Sequence, residues 1–220
     1  MENRIIIFTG PSLHPEEARK ILDADYRPPV GRDDILLALR DKPEIIGVID
    51  GVFHQRPAVS HKELLKALES GVKVVGGSSM GALRASELDD MGMIGVGKVY
   101  KAYKSGEIES DDDVAVVFNP ETKKQHSEAL ISMNYNFKKA CEEGLISQED
   151  LIELNNTAKT IFYPKRTYRS VIMNSNLDTD KKDNLMKYIR EKGVDIKRED
   201  ALLVLKYIKE NLKQIGRAHV

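Results

Sequence analysis

Three short apolar runs punctuate the first part of the chain: Ile5-Ile6-Ile7-Phe8, Ile45-Ile46-Gly47-Val48-Ile49 and Val72-Lys73-Val74-Val75. Each gives way to glycine or small polar residues, at Thr9-Gly10-Pro11-Ser12, Asp50-Gly51 and Gly77-Ser78-Ser79. Runs this short and this apolar predict strands buried on both faces. Between them the pattern takes a helical period. A helix is expected from Pro15 to Leu22, with Pro15 suited to its first turn, and another over Ile35–Arg40, capped by Asp33 or Asp34. Ser60-His61-Lys62-Glu63 has the form of a capping box, opening a helix that runs to Ser70 and stops at Gly71. A further helical run, Ala82–Leu88, follows the third strand. Asp25–Gly31 reads as an extended loop, Met91–Gly97 as a small-residue loop, Val99–Ser105 as a short helix ended by Gly106, and Val114–Phe118 as a possible fourth strand. From Ser127 the chain turns helical and highly charged, with helices expected over 127–143, 147–160, 168–173, 179–192 and 197–213.

Strands alternating with helices of this length predict an α/β fold: a parallel sheet flanked by helices, followed by a mostly helical C-terminal region. The expected divisions are 1–125 for the α/β core and 126–214 for the helical region. Residues 215–220, Ile-Gly-Arg-Ala-His-Val, break the charged helical pattern and match what one frame of a common sequencing adapter encodes; they are read as a non-native tail. Ligands on such sheets bind at the carboxyl ends of the strands. That edge would gather Gly10-Pro11-Ser12, Asp50-Gly51-Val52-Phe53 and Ser78-Ser79-Met80, loops rich in glycine and small polar residues.

Composition narrows the class. The 220 residues are 41% hydrophobic and 31% charged, with a formal net charge of −1, so no global charge favours nucleic acid or a membrane surface. Cys141 is the single cysteine, which excludes a disulfide framework or a multi-cysteine metal site. No apolar stretch has the length of a membrane span or a signal peptide. A cytoplasmic location is expected, with no cofactor and no metal.

The candidate chemistry centres on Gly77-Ser78-Ser79-Met80-Gly81. Strand, glycine-rich turn with a central serine, then helix is the layout of a nucleophile elbow. Ser79 is the central residue; Ser78 leaves the nucleophile's identity open. Met80 N–H, with a second amide at Ser12 or Gly51, would stabilise an oxyanion. His14, His54, His61 and His126 are the histidines a Ser-His-Asp site would draw on, but only His126 and the tail's His219 follow the serine in the chain, which fits that order poorly. Lys62, in the first turn of the helix after the second strand, is the alternative base. A helix N-terminus and partial burial would both favour its neutral form. Asp50 would orient Lys62 or the substrate, or simply satisfy turn amides. Arg32 and Arg84 would bind an anionic group, although Arg84 and Glu87 also have i,i+3 spacing. Asp111-Asp112-Asp113 reads as a solvated loop or a hard-cation site, Cys141 as a half-buried helix residue and His126 as exposed.

Several phrases together resemble the TfuA-like family: Gly10-Pro11-Ser12, Arg27-Pro28-Pro29, Gly31-Arg32-Asp33-Asp34, Ile49–Phe53, His61-Lys62-Glu63-Leu64-Leu65 and Ser78–Leu88. The resemblance covers about residues 5–120, with Phe162–Tyr168 as a further match. It implies a partner of YcaO enzymes, which use ATP to activate a peptide backbone amide for replacement of its oxygen by sulfur. It further implies hydrolysis of the C-terminal thiocarboxylate of a ThiS-like sulfur carrier, releasing sulfide, and assistance to substrate binding by YcaO. In methanogens the modified peptide belongs to methyl-coenzyme M reductase. The Ser-Lys pair implied for the family falls on Ser79 and Lys62. Apart from the resemblance, Met80, Ser12, Gly51, Asp50, Ser78, Arg84, Arg32 and His61 are the candidate oxyanion and substrate-binding residues around that pair. Two other readings stand beside the enzyme: a non-catalytic adaptor that recruits carrier or peptide to YcaO, and an ordinary small-molecule esterase.

Overall fold

A computed structural model describes residues 4–53, 56–119, 121–122 and 125–215; His54 and His219 lie outside them, as does nearly all of the tail. The chain forms two compact units, Met1–Glu109 with Lys197–Val220, and Ser110–Ile196.

In the first unit the apolar runs become β1 (Ile5–Phe8), β3 (Ile45–Val48) and β4 (Lys73–Gly77). Two further strands, β2 (Asp25–Arg27) and β5 (Ile94–Val96), flank them in a five-stranded parallel sheet of order β2-β1-β3-β4-β5. Both fall in segments read from sequence as loops. They are three-residue edge strands, pairing on one side only, and so need no apolar run. The helices are α1 (Pro15–Arg19), α2 (Asp34–Leu39), α3 (His61–Glu69), α4 (Met80–Leu88) and α5 (Lys98–Ser105).

The second unit is helical: α6 (Leu130–Glu142), α7 (Gln148–Thr160), α8 (Tyr168–Asn174) and α9 (Thr179–Lys192) pack around Met133, Phe137, Leu154, Val171 and Leu185. The expected strand at Val114–Phe118 does not form. Val114 and Ala115 are buried, but the backbone is satisfied locally: Val117 N–H donates to the Ser127 hydroxyl at 2.8 Å, and Phe118 makes only an isolated bridge to Gln125.

The last helix, α10 (Ile196–Ile215), returns to the first unit. Successive strand residues point to opposite faces. Ile6, Phe8, Ile46, Val48 and Val74 pack with Ile35, Leu64 and Met80 on one face. Ile5, Ile7, Ile45 and Val75 pack with Leu13, Val204, Leu205 and Ile208 on the other. Helix α10 is therefore what makes the strands apolar on both faces, although the sequence pattern groups it with the other C-terminal helices.

Candidate active site

Along the carboxyl edge of the sheet the strand order reverses between β1 and β3, the place where open α/β sheets leave a crevice for ligands. Asp50 ties the two loops there together. Its buried carboxylate accepts Gly10 N–H at 2.8 Å, Ser12 N–H at 3.0 Å and the Ser12 hydroxyl at 2.6 Å. Asp50 thus satisfies turn amides, and Ser12, expected to offer an amide to an oxyanion, spends both its donors on Asp50.

The neighbouring turn, from β4 into α4, consists of Ser78 and Ser79 alone. Glycines make it tight. A Cβ on Gly76 would stand 2.2 Å from the Gly81 carbonyl oxygen, and one on Gly81 would stand 1.7 Å from the Val48 carbonyl oxygen. Ser78 takes φ 72°, and Ser79 N–H donates across it to the Gly77 carbonyl at 2.9 Å. That is a γ-turn of the rare, strained hand.

Ser79 follows at φ −128°, ψ −116°, and its hydroxyl does not cap α4. Its N–H and that of Gly81 also reach the Ile49 carbonyl, at 3.2 and 3.3 Å. Met80 N–H donates to no acceptor among the described residues. Gly51 lies against it: a Cβ there would be 2.5 Å from Met80 Cγ. The Gly51 amide likewise has no acceptor among the described residues. The edge therefore brings together Ser78, Ser79, Met80 and Gly51, with Asp50 and Ser12 bracing the adjacent loop.

Lys62 lies elsewhere on α3. Glu63, Leu64 and Ala67 form the buried face of that helix, while Lys62, Lys66 and Glu69 are exposed. The start of α3 also sits level with the second and third turns of α4. Arg84 Nε meets the Val59 carbonyl at 3.2 Å, and His61 Nε2 meets Glu87 at 2.8 Å. Those α4 residues are about 8 and 12 Å along the axis from Ser79, at about 1.5 Å per residue. No hydrogen bond or ion pair joins Lys62 to any described residue. No hydrogen bond joins its amine to Ser79.

The remaining candidates are largely engaged. Arg84 is 13% exposed and pairs with Glu87 at 2.7 Å, the i,i+3 contact expected from its spacing. Arg32 is 52% exposed; its Nε donates to the Ala58 carbonyl at 3.3 Å and lies 3.6 Å from the buried Glu63. Arg32 and Arg84 thus grip consecutive carbonyls of the segment entering α3. His14 is spent at the start of α1, where Nδ1 accepts Glu16 N–H.

In the second unit, Asp113 accepts Ser110 N–H and Asp112 pairs with Arg166 at 2.6 Å, so this acidic run is held within the protein. Arg166 is almost fully buried and also donates to the Ala158 and Ile161 carbonyls. Its structural weight carries no sequence signal beyond the Phe162–Tyr168 phrase. Cys141 is half-buried and His126 exposed. A cleft of about 90 Å³ lined by Ile45, Lys73, Ile94, Tyr207 and Asn211 opens at the other end of the sheet, away from the serines.

No curated protein matches the chain. One stretch does match a known family, running from Asp50 across the elbow to Thr167. It takes in most of the Phe162–Tyr168 segment and leaves out Gly10–Ser12 and Arg32, which the resemblance had included. The matching family model is described as TfuA-like protein; since residues 50–167 are more than half of the 220, the chain belongs to the TfuA-like family.

Proposed function

We propose that this protein hydrolyses the C-terminal thiocarboxylate of a small ThiS-like sulfur carrier, supplying sulfide for YcaO-dependent thioamidation of a peptide backbone. The observation that carries this reading is the state of Ser79: it occupies a helix start without capping it, beside the Met80 amide, which has no acceptor among the described residues. The carrier's tail enters along the sheet edge. Ser79 Oγ attacks the thiocarboxylate carbon, the C–S bond breaks and hydrosulfide leaves. The Met80 and Gly51 amides hold the oxyanion. Water then cleaves the serine ester, giving a carboxylate-ended carrier and free Ser79; the net reaction is thiocarboxylate plus water to carboxylate, hydrosulfide and a proton. Lys62 is the proposed base. Its side chain has no hydrogen-bond or ion-pair partner among the described residues and turns inward when the tail seats, since unliganded geometry does not by itself rule out a base.

The exposed position of Lys62 favours a second reading, an adaptor that binds carrier or peptide for YcaO without chemistry of its own. Incubating the protein alone with thiocarboxylated carrier and following the carrier's mass separates them. Loss of the thiocarboxylate with wild type, and not with Ser79→Ala, supports the hydrolase. Retention of the thiocarboxylate, with faster thioamidation once YcaO is added, supports the adaptor. Wild-type rates in Lys62→Ala would remove that residue from the mechanism and leave the Ser79 chemistry standing.

A further inference from the structure

Ser78 concentrates two costs in one residue. It is one of three non-glycine residues at positive φ among those described, with Asp33 and Lys42. It is also fully buried, and its hydroxyl has no hydrogen-bond partner among the described residues. Asp33 and Lys42 carry only the first cost, because their side chains are exposed. Glycine would remove both: it accepts φ 72° without strain and has no hydroxyl to leave unsatisfied. The two glycines before it, Gly76 and Gly77, make the tight contacts of this turn without paying either cost. No described residue uses a hydroxyl at this position.

Resting on the hydrolase reading, we infer that the Ser78 hydroxyl is a substrate-contacting group of the elbow, reserved for the thiocarboxylate of the bound tail. Ser79 is itself only 2% exposed. Consecutive Cα atoms stand about 3.8 Å apart, so on this inference the group that Ser79 attacks seats within reach of the Ser78 hydroxyl. A hydroxyl there donates to the sulfur or oxygen of the incoming group, and to the carboxylate of the product. It adds a side-chain donor to the Met80 and Gly51 amides. It also gives the adjacent serines distinct tasks: Ser79 forms the covalent bond, and Ser78 holds the group being attacked. The ligand class is a terminal carboxylate or thiocarboxylate on an extended peptide tail.

Ser78→Ala is the cleanest test, because it keeps Cβ and the backbone strain and deletes only the hydroxyl. Ser78→Gly removes the strain as well. Both variants are expected to release sulfide about 10- to 100-fold more slowly per kcat/KM. The Tm of Ser78→Ala should hold or rise, and that of Ser78→Gly should rise by about 2–4 °C. Sulfide release by Ser78→Ala at the wild-type rate would overturn the assignment while leaving the hydrolase intact.

A second measurement does not depend on turnover. Fluorescence anisotropy would follow a labelled peptide ending in Gly-Gly with a free carboxylate, bound to wild type and to Ser78→Ala. About tenfold weaker binding to the variant supports the contact even if the wild type releases no sulfide, in which case it is the hydrolase reading that fails. Equal affinity, or no binding by the wild type, overturns the Ser78 contact.

Discussion

Helices α3 and α4 both begin at a serine, lie side by side, and use that serine in opposite ways. Ser60 sits in extended backbone at φ −89°, ψ 152°, and Glu63 accepts both its amide, at 3.1 Å, and its hydroxyl, at 2.7 Å. Ser147 and Thr167 start α7 and α8 in the same extended geometry, with their hydroxyls accepting backbone amides. Ser79 has a different backbone, a hydroxyl that makes no cap and a strained residue before it. A serine that caps its helix is already spent, whereas one kept from capping has its oxygen free for chemistry. The difference is visible in the sequence once the caps are compared: Glu63 stands three residues after Ser60, but Ala82 stands three residues after Ser79.

The sharpest way to break this contrast is to remove the Ser79 hydroxyl. On the proposed hydrolase reading, Ser79→Ala should lower sulfide release by about 1000-fold or more, since loss of the nucleophile removes the covalent route. Its Tm should stay within about 2 °C, because the hydroxyl makes no cap whose loss would cost stability. A variant that loses stability together with activity would show that Ser79 is a structural serine after all.

Next comes the tight packing of the turn that holds Ser79. Gly81→Ala places a Cβ 1.7 Å from the Val48 carbonyl oxygen, and the obstacle is backbone, which cannot rotate away. The start of α4 must lift off β3, at a cost of about 3 kcal/mol. Thermal unfolding should register this as a Tm lower by about 6–12 °C, accompanied by loss of sulfide release. Full activity in this variant would mean that the tight turn is not what sets the elbow.

How much of this was legible from sequence depended on what the physics left in the residue pattern. Strands β1, β3 and β4 are readable because both of their faces are covered, which leaves a short run of apolar and glycine residues broken only by the exposed Lys73 at the start of β4. Strands β2 and β5 are not, since an edge strand is defined by backbone pairing. Val114–Phe118 has the letters of a strand without forming one, because burial of Val114 and Ala115 requires the same apolar residues. The return of α10 was hidden because an apolar stripe on a helix does not name the surface that covers it. At the site, the elbow's location was plain, but Ser78 and Ser79 are the same residue type and only φ and hydrogen bonding tell them apart. Lys62 was placed correctly in the first turn of α3, yet the side of the helix it occupies follows from the burial of Glu63, Leu64 and Ala67.

A third kind of helix start extends the comparison. Helix α5 begins after Gly97 at φ 100° and is capped from a distant part of the chain: Asp200 of α10 accepts Lys98 N–H at 2.9 Å and Val99 N–H at 2.7 Å. Gly97 has to be glycine, since a Cβ would stand 2.3 Å from the Asp200 carboxyl carbon. Burial pushes the Asp200 carboxyl up from 3.8 to about 6, against the pull of its two amides. Between those values the folded chain holds a proton that the unfolded chain has released, so stability must fall as pH rises. The loss amounts to roughly 3 kcal/mol across the window and is complete above about pH 6. Thermal unfolding of wild type and Asp200→Asn from pH 4 to 7 checks the sign: the Tm of wild type should drop relative to that of the variant. A parallel pair of curves would mean that the two amides fully offset the burial.

The smallest effect belongs to the ordinary cap. Ser60→Ala deletes the hydroxyl bond to Glu63 and leaves the amide bond in place. Glu63 is 4% exposed, and its second oxygen already lacks a partner among the described residues. The first oxygen keeps the Ser60 amide and Arg32, so no buried charge is newly stranded. The loss should be that of a typical N-cap, about 1 kcal/mol, or a Tm lower by about 2–4 °C. Sulfide release should stay within about twofold, because a change of that size in folding leaves the native state dominant. Ser60→Ala and Ser79→Ala should therefore be mirror images, one losing stability and keeping turnover, the other keeping stability and losing turnover. If Ser60→Ala instead stopped sulfide release at an unchanged Tm, the division between a serine that builds a helix and a serine that is withheld from building one would fail at its simpler end.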